Sequence, residues 1–166
     1  MTAALFRHVL RIAPVILVIS PGAAQAQTAT SAFDVTITIQ ADCEITSTQT
    51  LNFGTVGVLT SNVDEQANLQ VTCTPGTAYD IGLNEGGGAG ATTSVRKMTA
   101  AGVTIDYELY QDPGRSVNWG NTVGTDTRDD TGTGSAQTFA VYGRVPPQAT
   151  PAPAVYSDTI TVTVTF

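Results

Sequence analysis

In Phe33-Asp34-Val35-Thr36-Ile37-Thr38-Ile39 the apolar residues take every odd position, and in Thr159-Ile160-Thr161-Val162-Thr163-Val164-Thr165-Phe166 every even one. Alternation with a period of two predicts half-buried strands with one wet face. Further strands are predicted at Leu51–Leu59, Asn68–Thr74, Tyr79–Asn84, Val103–Gln111 and Gln137–Val145. Turn-forming clusters separate them: Pro75-Gly76, Gly86-Gly87-Gly88, Asp112-Pro113-Gly114 and the long stretch Gly120–Ser135. Thr, Val and Gly dominate where helices would need Leu, Lys and Glu, and β-branched side chains suit pleated sheets better than helices. Some seven short strands with Gly/Pro-rich turns predict an all-β sandwich in one domain.

The start of the chain reads differently. Arg7 and Arg11 precede an apolar run from Ile12 to Ile19, Pro21 and Gly22 break it, and Ala24-Gln25-Ala26 has the small-x-small form of a cleavage site. This is the layout of a secretory signal over residues 1–26, and the run is too short to span a bilayer. The mature chain, 27–166, holds five basic and fourteen acidic residues, a net charge of −9. That balance disfavours any nucleic-acid partner. In an exported chain Cys43 and Cys73 most simply form one disulfide, against two free thiols or an intermolecular bridge. The loop so closed contributes roughly 3–4 kcal/mol.

Catalytic chemistry is sparse. The single histidine, His8, lies in the signal, which leaves the mature chain without the usual general base or zinc ligand. Asp106 and Glu108 share one face of a strand and could serve a carboxylate-based hydrolase, but read better as a solvated face. Asp126, Asp129 and Asp130 in the Gly120–Ser135 stretch lack the calcium-loop spacing and its bidentate Glu. Trp119 reads as a core or strand-end aromatic rather than a ligand platform. Pro146–Pro153 reads as a stiff extended connection. No catalytic residue, metal or cofactor is expected.

Two strongly patterned strands therefore stand at the two termini. The last reaches Phe166 with no turn or partner strand behind it, and the first follows a polar leader, Gln27–Ala32. An unpaired apolar strand edge invites association, and the leading strand of one molecule is suited to complete the sheet of the next.

Several pieces, in order, carry a family resemblance: the Phe33–Ile39 strand with Ala41-Asp42-Cys43, Leu51-Asn52-Phe53-Gly54, Val71-Thr72-Cys73-Thr74-Pro75-Gly76 and Tyr79-Asp80-Ile81-Gly82-Leu83. Arg96-Lys97-Met98, Ile105–Asp112, Trp119-Gly120, Val141-Tyr142-Gly143-Arg144-Val145 and Tyr156-Ser157-Asp158 follow. Together they resemble the spore coat protein U family, which is similar to the pilins of archaic chaperone–usher fimbriae. The resemblance implies an incomplete immunoglobulin-like β-sandwich of pilin type, lacking its final strand and completed by donor-strand exchange. A periplasmic chaperone would lend a strand first, and at the outer-membrane usher the leading strand of another copy or a related pilin would replace it. The donor, within about 29–40, would be Phe33, Val35, Ile37 and Ile39; the groove and chaperone contact would be edged by Ile160, Val162, Val164 and Phe166; the disulfide would be Cys43–Cys73. The expected function is a structural subunit of a surface fibre, exported through the periplasm and serving attachment or biofilm formation. The alternative is a monomeric secreted binding module that uses the sandwich loops.

Overall fold

A computed structural model describes Gly22 and residues 25–166. The charged start and apolar run of the expected signal, with His8, lie outside the described residues. The chain divides into two units, one ending at Ile37 and the other spanning Thr38–Phe166.

The second unit holds eight strands: β1 Cys43–Thr48, β2 Val63–Cys73, β3 Ala78–Leu83, β4 Arg96–Ala100, β5 Val103–Tyr110, β6 Arg128–Thr131, β7 Gln137–Val145 and β8 Val162–Thr165. Five form one sheet in the order β1-β2-β7-β5-β4, and three form the other in the order β6-β3-β8, with every pairing antiparallel. No helix occurs among the described residues.

Alternation builds the layers. Ala67, Leu69, Val71 and Cys73 of β2 and Phe139, Val141 and Val145 of β7 point inward, meeting Tyr79, Ile81 and Leu83 of β3. Trp119 is fully buried among them and its indole N–H donates to the Ile81 carbonyl at 2.8 Å, which satisfies the polar edge of a core aromatic. Cys43 and Cys73 are directly opposed in the β1–β2 register and are disulfide-bonded.

Three strands lie outside the predicted set. β1 and β6 are short edge strands with polar sequences, and β6, Arg-Asp-Asp-Thr, falls inside the stretch read as a loop. The rest of that stretch is pinned: Thr127 Oγ1 donates to Asp80 at 2.6 Å, and Asn121 lies over Gly82, whose added Cβ would come within 3.1 Å of it. β4 joins β5 through Ala101-Gly102, both at positive φ, a tight hairpin turn that lacks the usual Asn-Gly signal.

Two predicted strands are absent as such. Phe33–Ile39 carries no ladder, and Leu51–Leu59 is irregular. A strand is defined by its partner, and neither segment has one among the described residues. The last strand begins at Val162 rather than Thr159.

A candidate strand-acceptor groove

The three-stranded sheet ends at β8, whose outer edge pairs with nothing among the described residues. Beyond that edge a groove of about 880 Å³ opens into the sandwich. Its floor is the inner face of β5 and β7, with Tyr107, Leu109, Val141 and Val145. One wall is the irregular segment carrying Leu51, Phe53 and Val56; the other carries Tyr156, Ile160 and Val162. Asp158 is the one charged residue among those lining it, so the groove suits an apolar occupant.

Local packing explains why Leu51–Leu59 makes a wall instead of a strand. Leu51 and Phe53 press onto β7 at Gly143, where a Cβ would stand 2.8 Å from a Leu51 methyl and from the tip of the Phe53 ring. Phe53 then meets Tyr107 edge-on at 6.3 Å between ring centres. Gly143→Ala is expected to push the wall off β7 at a cost of about 1–3 kcal/mol in thermal unfolding. An unchanged midpoint would mean that the wall is not seated on this glycine.

One end of the groove is clasped. The Leu59 N–H donates to Thr150 Oγ1 at 2.9 Å, and the Gln148 N–H donates to the Leu59 carbonyl at 2.9 Å. The Gln148 side-chain amide spans Asp106 of β5, taking its N–H at 2.9 Å and donating to its carbonyl at 2.9 Å. A lone amide thus does the pairing of a strand residue inside the Pro146–Pro153 run. Sequence reasoning attached no role to that run, because a single Gln among prolines carries no local signal.

At the other wall, Tyr107 donates its hydroxyl to Asp158 at 2.8 Å, and Asp158 takes the N–H groups of Gly87 and Thr159, each at 2.8 Å. Burial, reinforced by that carboxylate, pushes the Tyr107 hydroxyl far above the ordinary phenol range. Behind it Arg96 is fully buried. Its guanidinium donates to the carbonyls of Asn84, Thr93, Leu83 and Trp119 at 2.7–2.9 Å. Burial lowers its pKa, while Tyr107, Asp126, Asp158 and Glu85 act the other way. Arginine remains cationic throughout the accessible pH range.

The structure distributes the predicted site residues as follows. Ile160 and Val162 line the groove, Val164 packs against the core, and Phe166 is 57% exposed beside a separate shallow recess with Thr165, Tyr79 and Asp80. Phe33, Val35, Ile37 and Ile39 are 86, 84, 84 and 73% exposed. Asp106 and Glu108 lie on the outward face of β5. Asp106 is ion-paired with Lys97 at 2.6 Å, and Glu108 accepts from Tyr110, whose hydroxyl is pushed up to about 12 by burial and by that carboxylate. Asp126 spends its carboxylate on the Thr122 N–H at 2.7 Å, and Asp129 and Asp130 sit on β6. Among the described residues no cluster of three or more His, Cys, Asp or Glu could hold a metal.

A two-sheet, all-β sandwich with a bare apolar groove beside an unpaired strand edge has the fold of a chaperone–usher pilus subunit. By sequence the chain belongs to the Spore Coat Protein U domain family, which it matches over residues 29–163. It is 35% identical over 158 residues to Protein U of Myxococcus xanthus, covering 86% of this chain and 88% of that one. Among solved structures it is similar to a chain of the CsuC–CsuE chaperone–tip adhesion subunit pre-assembly complex, from archaic chaperone–usher Csu pili of Acinetobacter baumannii. The TM-score is 0.56 and the identity 23%, over 78% of this chain. This chain spans 40% of that solved chain.

Proposed function

We propose that this protein is a structural subunit of a chaperone–usher surface fibre, assembled by donor-strand exchange. The observation that carries the reading is a mismatch within one chain: an apolar groove with no strand in it, and four alternating apolar side chains with nothing to cover them. Contiguous exposed apolar surface on a secreted protein marks an interaction site. Phe33–Ile39 is seven residues long, as is the alternating edge Ile160–Phe166, so a donor can run the length of the edge. Fully burying the four donor side chains contributes roughly 6–12 kcal/mol before ordering costs. A periplasmic chaperone would hold the groove until an outer-membrane usher exchanges its strand for the donor of the next copy or of a related subunit. The fibre would stand outside the cell and serve attachment or biofilm formation. The Spore Coat Protein U match, which starts at residue 29 and so includes the donor, and the pilin-like fold both support this reading.

Changing one donor side chain in the full mature chain tests it. Ile37→Asp places a charge in the groove and is expected to abolish polymers in light scattering and electron microscopy, with the domain's thermal midpoint unchanged. Polymers of normal length from that variant would sink the donor assignment, and a wild-type chain that stays monomeric after export would favour the binding-module alternative.

A further inference from the structure

The chain leaves its sandwich at Asp42, and Asp42 is pinned. Its carbonyl accepts from the Thr74 N–H at 2.9 Å, its own N–H donates to Thr74 Oγ1 at 3.1 Å, and its carboxylate takes the Cys43 N–H at 3.0 Å. Thr74 Oγ1 is in turn 2.6 Å from Thr77 Oγ1, and Cys43 is bonded to Cys73. Only Gln40 and Ala41 lie between this anchor and Ile39, the last apolar residue of the leading segment. Three Cα steps reach at most about 11 Å.

That reach is little more than the roughly 10 Å between two packed sheets. If Ile39 is seated in a neighbour's groove, the two bodies cannot stand apart. We infer that the Asp42–Thr74 end of one copy docks against the groove mouth of the next, a body-to-body interface that sets the angle between successive subunits. The inference rests on the donor-strand reading above and adds a second contact to it.

Topology indicates which mouth. Every strand pair in the domain is antiparallel. A donor that keeps this pattern runs against β8 and brings Ile39 to the start of β8, beside the segment that carries Val155, which is 90% exposed. Val56, 48% exposed, lines the same groove and extends the apolar lip. The opposing platform is built largely of small residues. Gly76 N–H donates to the Gly132 carbonyl at 2.9 Å and Gly134 N–H to the Cys73 carbonyl at 3.0 Å, and Pro75 lies between. A rigid platform of small residues against a valine lip fits close packing of a second copy of this chain.

The test inserts Gly-Ser-Gly-Ser between Gln40 and Ala41 of the full mature chain and measures its polymers by electron microscopy. The expected result is an axial repeat longer by up to about 14 Å and a severalfold loss of stiffness, with the donor itself unchanged. Thr74→Val, which removes the hydroxyl that holds Asp42, is expected to widen the spread of angles between neighbours. Loss of polymer from an insertion variant whose domain melts normally also supports the inference, since only the joint has changed. An insertion that leaves repeat and stiffness as in the wild type overturns it. Polymers that survive Ile37→Asp overturn the donor reading itself, a separate and distinguishable result.

Discussion

A chain that begins at Gln40 and carries Thr28–Gln40 grafted after Phe166 through a short flexible turn is expected to be a compact monomer. It should melt about 12 °C above the same chain without the graft. The difference comes from the groove. Ungrafted, the domain leaves the groove over Tyr107, Leu109, Val141 and Val145 unfilled and the outer edge of β8 unpaired. The graft reverses direction after β8, so it enters antiparallel, matching every other pair in both sheets. Its four apolar side chains cover the floor while its backbone satisfies the edge. A net gain of about 4 kcal/mol after ordering costs is modest against the gross burial of four such side chains. For a domain of this size it corresponds to the shift given, at about 3 °C per kcal/mol. Thermal melting and light scattering on the two chains read it directly. An ungrafted chain that is already a stable monomer, with a midpoint the graft does not move, would mean that the domain is complete and that the groove serves something other than a strand.

Replacing Arg96 with Met is expected to cost about 4 kcal/mol, on the scale of breaking a buried charged network. In thermal unfolding this is a fall of roughly 12 °C. The guanidinium is the meeting point of three segments: the end of β3 at Leu83 and Asn84, the loop at Thr93, and the chain at Trp119. Met fills similar volume but donates nothing, and four carbonyls, two of them at buried contacts, lose this partner. Arg96→Lys is expected to recover less than half of the loss, because one ammonium cannot reproduce a planar fork of donors spread over four acceptors. Because Leu83 and Tyr107 both line the groove, the Met variant should also bind the grafted donor less well than its own lowered stability accounts for. A loss below 1 kcal/mol for Arg96→Met would show that the carbonyls find water instead.

What could be read from the residues followed the periodicity. β7 lies where alternation placed it, Gln137–Val145, and β3 and β5 each fall within one residue of the expected bounds. β2 starts five residues earlier than predicted, since Asp64–Gln66 is polar and solvent-facing yet pairs fully with β7. β1, β4 and β6 were illegible because an edge strand needs no apolar stripe. Cys43–Thr48 and Arg128–Thr131 are held by ladder bonds to a neighbour rather than by burial. Leu51–Leu59 shows the opposite failure. Leu51, Phe53 and Leu59 do turn inward, but beside a gap, and a gap leaves no mark on sequence. For the same reason Ile160 and Val162 could be named for the groove while its floor, its Gln148 clasp and the Arg96 hub could not. Those depend on residues from separate strands and loops meeting in space.

The Cys43–Cys73 bond has a mechanical meaning for any filament built from this domain. Tension transmitted through a leading segment arrives at Asp42 and passes at once to Cys43. From there the disulfide shunts it straight into the end of β2, the longest strand, bypassing everything between. The bypassed chain is a covalent ring with a sequence separation of 30. Pulled straight it would otherwise yield on the order of 100 Å of slack. The Leu51–Leu59 wall lies inside that ring, so the surface that would grip the next subunit is the part of the molecule that a pull on the chain's own leading end cannot unravel.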